Sequence, residues 1–131
     1  MLVHYLKVFL ISLPIFLVID FIWLGLIAKK IYDQELSSFE RTLNWPAAIS
    51  VYLVLVLGIV VFSLSRNSSD PWQGFIWAGI FGFLSYGVYD LTNLATLANW
   101  SLKMTIIDMI WGTLLCGTVG YIAIIISNWL K

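Results

Sequence analysis

The chain has 131 residues, of which 61% are hydrophobic and 11% charged, with a mean hydropathy of +0.96, and this leaves far too little polar surface for a soluble globule. Seven Lys and Arg balance seven Asp and Glu, which excludes a basic field for nucleic acid and an acidic tail for cationic partners. A single cysteine, Cys116, and a single histidine, His4, exclude an intrachain disulfide, a Cys-pair metal motif and a His cluster.

The composition is that of an integral membrane protein, and the pattern predicts an all-α bundle of four transmembrane helices in one domain. Residues about 8–28, between Lys7 and Lys29, form the first span, since a helix rising ~1.5 Å per residue covers ~30 Å of hydrocarbon over that length. The stretch lacks a small-x-small cleavage site and contains Asp20 near its middle, so it reads as a retained span rather than a signal peptide. Pro14 removes a backbone donor and is expected to kink or loosen this helix one turn earlier.

Residues 29–45 are polar, yet Tyr32, Leu36, Phe39 and Leu43 recur at helical intervals, as in a short amphipathic helix lying on the interface. Continuation of the first helix into water and a lid over a site are the other readings of this segment. Asn44-Trp45-Pro46 then starts the second span, about 46–65, with a capping residue, an interfacial aromatic and a proline placed where it costs no helical hydrogen bond. Because its interior departs from Val, Leu and Ile only at Ser50, Tyr52 and Gly58, this helix is expected to supply packing and lipid contact but no chemistry.

The third span, about 72–95, carries the polar insertion Tyr86-Gly87-Val88-Tyr89-Asp90-Leu91-Thr92-Asn93. At helical spacing Gly82, Tyr86, Tyr89, Asp90 and Asn93 share one face. On the fourth span, about 104–129, Asp108, Gly112, Cys116 and Gly120 succeed one another at four-residue steps, which makes a smooth stripe headed by a carboxylate. Asp20-Phe-Ile-Trp23 in the first span is echoed by Asp108-Met-Ile-Trp111 in the fourth.

With four spans, the connections after the first and third lie on the same side of the membrane, here termed the first-loop side. Asp20, Asp90 and Asp108 then all fall in the membrane half nearest that side, with Trp23, Tyr89, Asn93, Thr105 and Trp111. An ionised carboxylate at the bilayer centre costs ~2.5–3.5 kcal/mol on insertion scales, so these groups should face inward and form one polar pocket, Asp20, Asp90 and Asp108 binding while Tyr86, Tyr89 and Asn93 orient the ligand. The bland alternatives are a first-turn carboxylate at Asp108, interhelical hydrogen-bonding by Asp90, and tryptophans that belong to the interfacial belt or to packing.

The motifs Asp20-x-x-Trp23-Leu24-Gly25, Asn44-x-Pro46-Ala47, the run from Gly82 to Thr96 and Asp108-x-x-Trp111-Gly112, taken together, resemble the bacterial family of small predicted membrane proteins called domain of unknown function 2177. The resemblance implies a multi-pass protein of the bacterial inner membrane and assigns no catalytic role. From the residues, the first reading is a module that binds or transports a proton, cation or cationic small molecule. The alternatives are a membrane enzyme using an Asp pair on a lipid-borne substrate, for which no nucleophile motif or phosphate loop speaks, and an accessory subunit of another membrane protein. No metal is expected, no motif names a cofactor, and besides the lipid bilayer a homodimer through glycine-bearing faces or a membrane partner protein is expected.

Overall fold

Each of the four apolar stretches becomes one long helix, because inside a bilayer the backbone has only itself to hydrogen-bond. A computed structural model describes all 131 residues. The long helices are α1 (Leu2–Ile22), α3 (Trp45–Leu64), α4 (Pro71–Thr96) and α5 (Leu102–Leu130), with a short α2 (Lys29–Glu35) between the first two. With the turn that extends α1, all four are long and apolar enough to cross a membrane.

Side chains at the starts of α3, α4 and α5 satisfy otherwise free backbone donors. Asn44 accepts from the amide of Ala47 ahead of α3, Asp70 from Trp72 ahead of α4, and Ser101 from Met104 ahead of α5, at 3.1, 3.1 and 2.9 Å. Pro46 and Pro71 sit in the first turns of α3 and α4, where the missing N–H is no loss.

The first helix departs from expectation in two ways. It starts at Leu2, with Lys7 exposed along it, and Pro14 lies exposed inside an unbroken run. The irregularity comes later, at Trp23–Ile27, where the chain makes a π turn closed by the Ala28 amide bonding the Trp23 carbonyl at 2.7 Å. Such a bulge amounts to one inserted residue, and it turns everything after it back by about 100°. In a plain α-helix Ala28 and Tyr32 would lie about 80° and 120° from the face of Asp20; after the bulge both lie within about 20° of it. Ala28 and Tyr32 are accordingly buried.

The segment after this turn is only partly the amphipathic helix expected. Helix α2 ends at Glu35, and residues 40–44 have no regular structure. Leu36 packs near Tyr32 and Phe39 meets Trp100 edge-on at 5.7 Å, but Leu43 is 63% exposed, because the chain has left the helix before reaching it.

The closest helix pair is α4 with α5, and the reason is glycine. A Cβ at Gly74 would strike the Gly120 carbonyl, one at Gly82 would strike the Gly112 carbonyl, and one at Gly120 would strike Ala78 and the Gly74 carbonyl. Small residues here let two backbones approach within van der Waals reach, which in lipid replaces the hydrophobic drive for association. The stripe Asp108, Gly112, Cys116, Gly120 is buried along its whole length, so its glycines are engaged within the chain. Helix α1 packs on α3 and α5, α3 also packs on α4 and α5, and the shared apolar core includes Phe16, Val56, Ile59 and Leu115.

Replacing Gly120 by Leu should therefore lower thermal stability in detergent by an amount equivalent to about 1–3 kcal/mol or more, the usual cost of overpacking. Gly25→Leu is the control. Nothing lies within 4 Å of a Cβ built there, so its unfolding midpoint should match that of the parent in the same thermal scan.

Candidate functional site

The π turn, the glycine-packed pair and the start of α3 enclose a cavity of about 530 Å³ in the first-loop half of the bundle. Asp20 from α1, Tyr52 from α3, Tyr86 and Tyr89 from α4, and Asp108 and Trp111 from α5 line it, joined by Tyr32 and Met104. Lys29, Asp33, Arg41 and Trp100 also line it, drawn from α2 and the connections rather than from the spans.

Both oxygens of the Asp20 carboxylate are hydrogen-bonded across helices. Tyr52 donates to Oδ2 at 2.9 Å, and the Trp111 indole N–H donates to Oδ1 at 3.1 Å. Asp108 takes the Tyr32 hydroxyl at 2.8 Å, and Tyr32 in turn accepts from the Trp23 indole at 3.1 Å. The two indoles stack, with centroids 4.4 Å apart and planes inclined by 7°. The two Asp-x-x-Trp motifs are thus crossed, for Trp111 serves the aspartate of α1 while Trp23, through Tyr32, serves that of α5. Burial pushes the Tyr32 phenol up from its ordinary range, so it stays protonated and available as a donor.

Asp90 is placed differently. It is fully buried between α4 and α5 behind the cavity wall, beside Asp108, and neither of its carboxyl oxygens has a hydrogen-bond donor. The polar face of α4 is therefore divided. Tyr86 lies on Gly112 and lines the cavity, Tyr89 lines it while 58% exposed, Asp90 turns toward α5, and half-buried Asn93 stands beside the Tyr89 hydroxyl without reaching the cavity.

Two members of the hydrogen-bond network around the aspartates, Tyr32 and Tyr52, lie outside the residues singled out from the sequence. The second span, expected to supply only packing and lipid contact, also supplies the Tyr52 hydroxyl to Asp20, and Tyr32 reads in the sequence only as an apolar position of an amphipathic stretch. A phenol in an apolar run gives no signal until the carboxylate it faces is known. At the rim, Asp33 pairs with Lys29 at 2.7 Å and with Arg41 at 3.1 Å. Lys29 first, and then Arg41, hold its carboxyl below the usual carboxylate range. The stabilisation from this cluster is present at neutral pH and is lost as pH falls through that lowered value.

The family model described as predicted membrane protein (DUF2177) matches residues 5–125, nearly the whole chain. The chain belongs to that family. No curated protein and no solved structure matches it. The match spans every aspartate of the DUF2177 chain discussed above, together with Tyr32, Tyr52 and the crossed tryptophans.

The crossed network can be tested at its bridging hydroxyl. Tyr32→Phe leaves a buried Asp108 oxygen without its donor, a loss of about 1–3 kcal/mol in stability, and it frees the Trp23 indole N–H. Denaturation of the variant in detergent should show that loss, and its tryptophan emission should shift relative to the parent.

Proposed function

We propose that this DUF2177 protein sits in the bacterial inner membrane and binds a positively charged ligand in the carboxylate cavity, either holding it or passing it across the membrane. The observation that carries this reading is the pair Asp90 and Asp108, side by side and buried, with no donor from the rest of the chain reaching Asp90. Two carboxyl groups in such a place require a proton or a cation between them, since neither can ionise alone against the other without compensation. The burial of all three intramembrane aspartates also argues for a cavity that takes a ligand rather than for a polar face offered to another subunit, for which the carboxylates would have to reach the bundle exterior.

The character of the walls favours an organic cation. Four tyrosines, two tryptophans and the carboxylates of Asp20 and Asp108 surround the space. Aromatic faces attract a cation through their quadrupoles, and a carboxylate supplies the full charge. No three His, Cys, Asp or Glu side chains converge as a metal set would. A volume of about 530 Å³ is ordinary for a small-molecule site.

Asparagine at position 20 separates charge from shape. Its Oδ1 can accept from Trp111 while its amide donates to the Tyr52 oxygen, so Asp20→Asn should fold at least as well as the parent. Benzyltrimethylammonium added to the purified protein should raise the parent's stability by about 1.4 kcal/mol at ten times its Kd. Asp20→Asn and Asp108→Asn should each abolish that rise in a thermal-shift assay; a parent that shows no stabilisation, or variants that keep it in full, would overturn the reading.

A further inference from the structure

The cavity has a second opening, and its walls point to what enters there. A further space of about 530 Å³ shares Asp20, Tyr52, Tyr86, Tyr89 and Asp108 with the first, and it is completed by Ala48, Val51 and Leu55 of α3 and Ser85 of α4. Every one of these residues lies in a membrane-spanning helix, so this space opens sideways, between α3 and α4, toward the acyl region of the bilayer. Deeper in the membrane the same two helices close on each other, where Phe81 fills the place of a side chain at Gly58 and meets Phe62 at 5.1 Å. The gap therefore lies only beside the carboxylates. Val51 on its edge is 55% exposed and Tyr89 58%.

Charge is ordered along the first opening. The floor carries the carboxylates of Asp20 and Asp108. At the rim two cations, Lys29 and Arg41, line the opening and share the single carboxylate of Asp33. Nearby, Lys103 is taken up by Glu35 at 3.6 Å. The site is thus negative inside, positive at its rim and apolar at its side.

On the reading given under Proposed function, we infer that the occupant is an amine-bearing phospholipid: its ammonium reaches Asp20 and Asp108, its phosphate meets Arg41 and Lys29, and its acyl chains leave through the gap between α3 and α4. A free cation would use the floor alone and gain nothing from the rim or the gap. An anionic lipid would meet the rim but set its charge against the carboxylates. A zwitterion with a tail matches all three walls once its ethanolamine arm turns inward from a phosphate at rim level, its chains lying beside Ala48, Val51 and Leu55.

The test uses the full chain, purified and delipidated in detergent, with four probes: phosphatidylethanolamine, phosphatidylglycerol with the same chains, chain-free glycerophosphoethanolamine, and benzyltrimethylammonium. Native mass spectrometry and thermal shift should show phosphatidylethanolamine held at least tenfold tighter than either phosphatidylglycerol or glycerophosphoethanolamine. Val51→Trp, which obstructs the gap from a lipid-exposed position, should weaken phosphatidylethanolamine at least tenfold and leave benzyltrimethylammonium unchanged. Arg41→Gln should likewise weaken the phospholipid, whereas the small cation, relieved of a like charge in the cavity lining, should bind at least as tightly as to the parent. If benzyltrimethylammonium binds while phosphatidylethanolamine shows no preference over phosphatidylglycerol, or if Val51→Trp leaves phospholipid binding intact, the lipid assignment is overturned and the cation site stands. If benzyltrimethylammonium fails to bind as well, the underlying cation reading falls with it.

Discussion

A buried carboxylate must find donors or lose its charge, and this constraint at Asp20 shapes the first-loop half of the molecule. Its two oxygens are met by a phenol from α3 and an indole from α5, so a single side chain of α1 ties three helices together at one depth. Buried polar groups that are fully matched specify one arrangement of helices in a way that apolar contacts, which are non-directional, do not. The rest of the cavity follows from that fixed point. Trp111 is held by Asp20, Trp23 is held on Trp111 by stacking, and Tyr32 is held between Trp23 and Asp108.

The opposite half of the molecule is held by different means. Around Gly74, Ala78 and Gly120 the contact between α4 and α5 is backbone against backbone, with Ser63 of α3 pressed against the same spot. His4 and Ser127 add a hydrogen bond of 2.7 Å between α1 and α5 toward the same end. Tight packing there and an open cavity at the first-loop end are two consequences of one distribution of side-chain size. Where glycine and alanine line the contact the helices close; where Tyr52, Tyr86 and Tyr89 line it they are held apart.

Asp90 and Asp108 lie where these two regimes meet. Close packing of α4 on α5 brings the two carboxyl groups together and removes water and donors from Asp90. That is an arrangement a structural role does not require, because a leucine would fill the same space without a charge to compensate. On the reading proposed above, the buried acid pair belongs to the site beside it.

The sequence by itself determined the all-α class, the four long apolar helices, the capped start of α3, and the family through its Asp-x-x-Trp and Gly82 to Thr96 motifs. These are local properties, fixed by hydropathy, by the length needed to cross hydrocarbon and by residues within one turn of each other. It also brought Asp20 and Asp108 to one side of the membrane, since depth follows from counting residues along each helix. It did not show that Asp90 turns away from the cavity, that Tyr32 and Tyr52 serve the carboxylates, that the glycine stripe is used inside the chain, or that the irregularity in the first helix falls at Trp23–Ile27 rather than at Pro14. Only the tertiary structure decided these. Helical periodicity places residues on a common face but not against a neighbour, and one π turn shifts that face by about 100° without any change in composition to announce it.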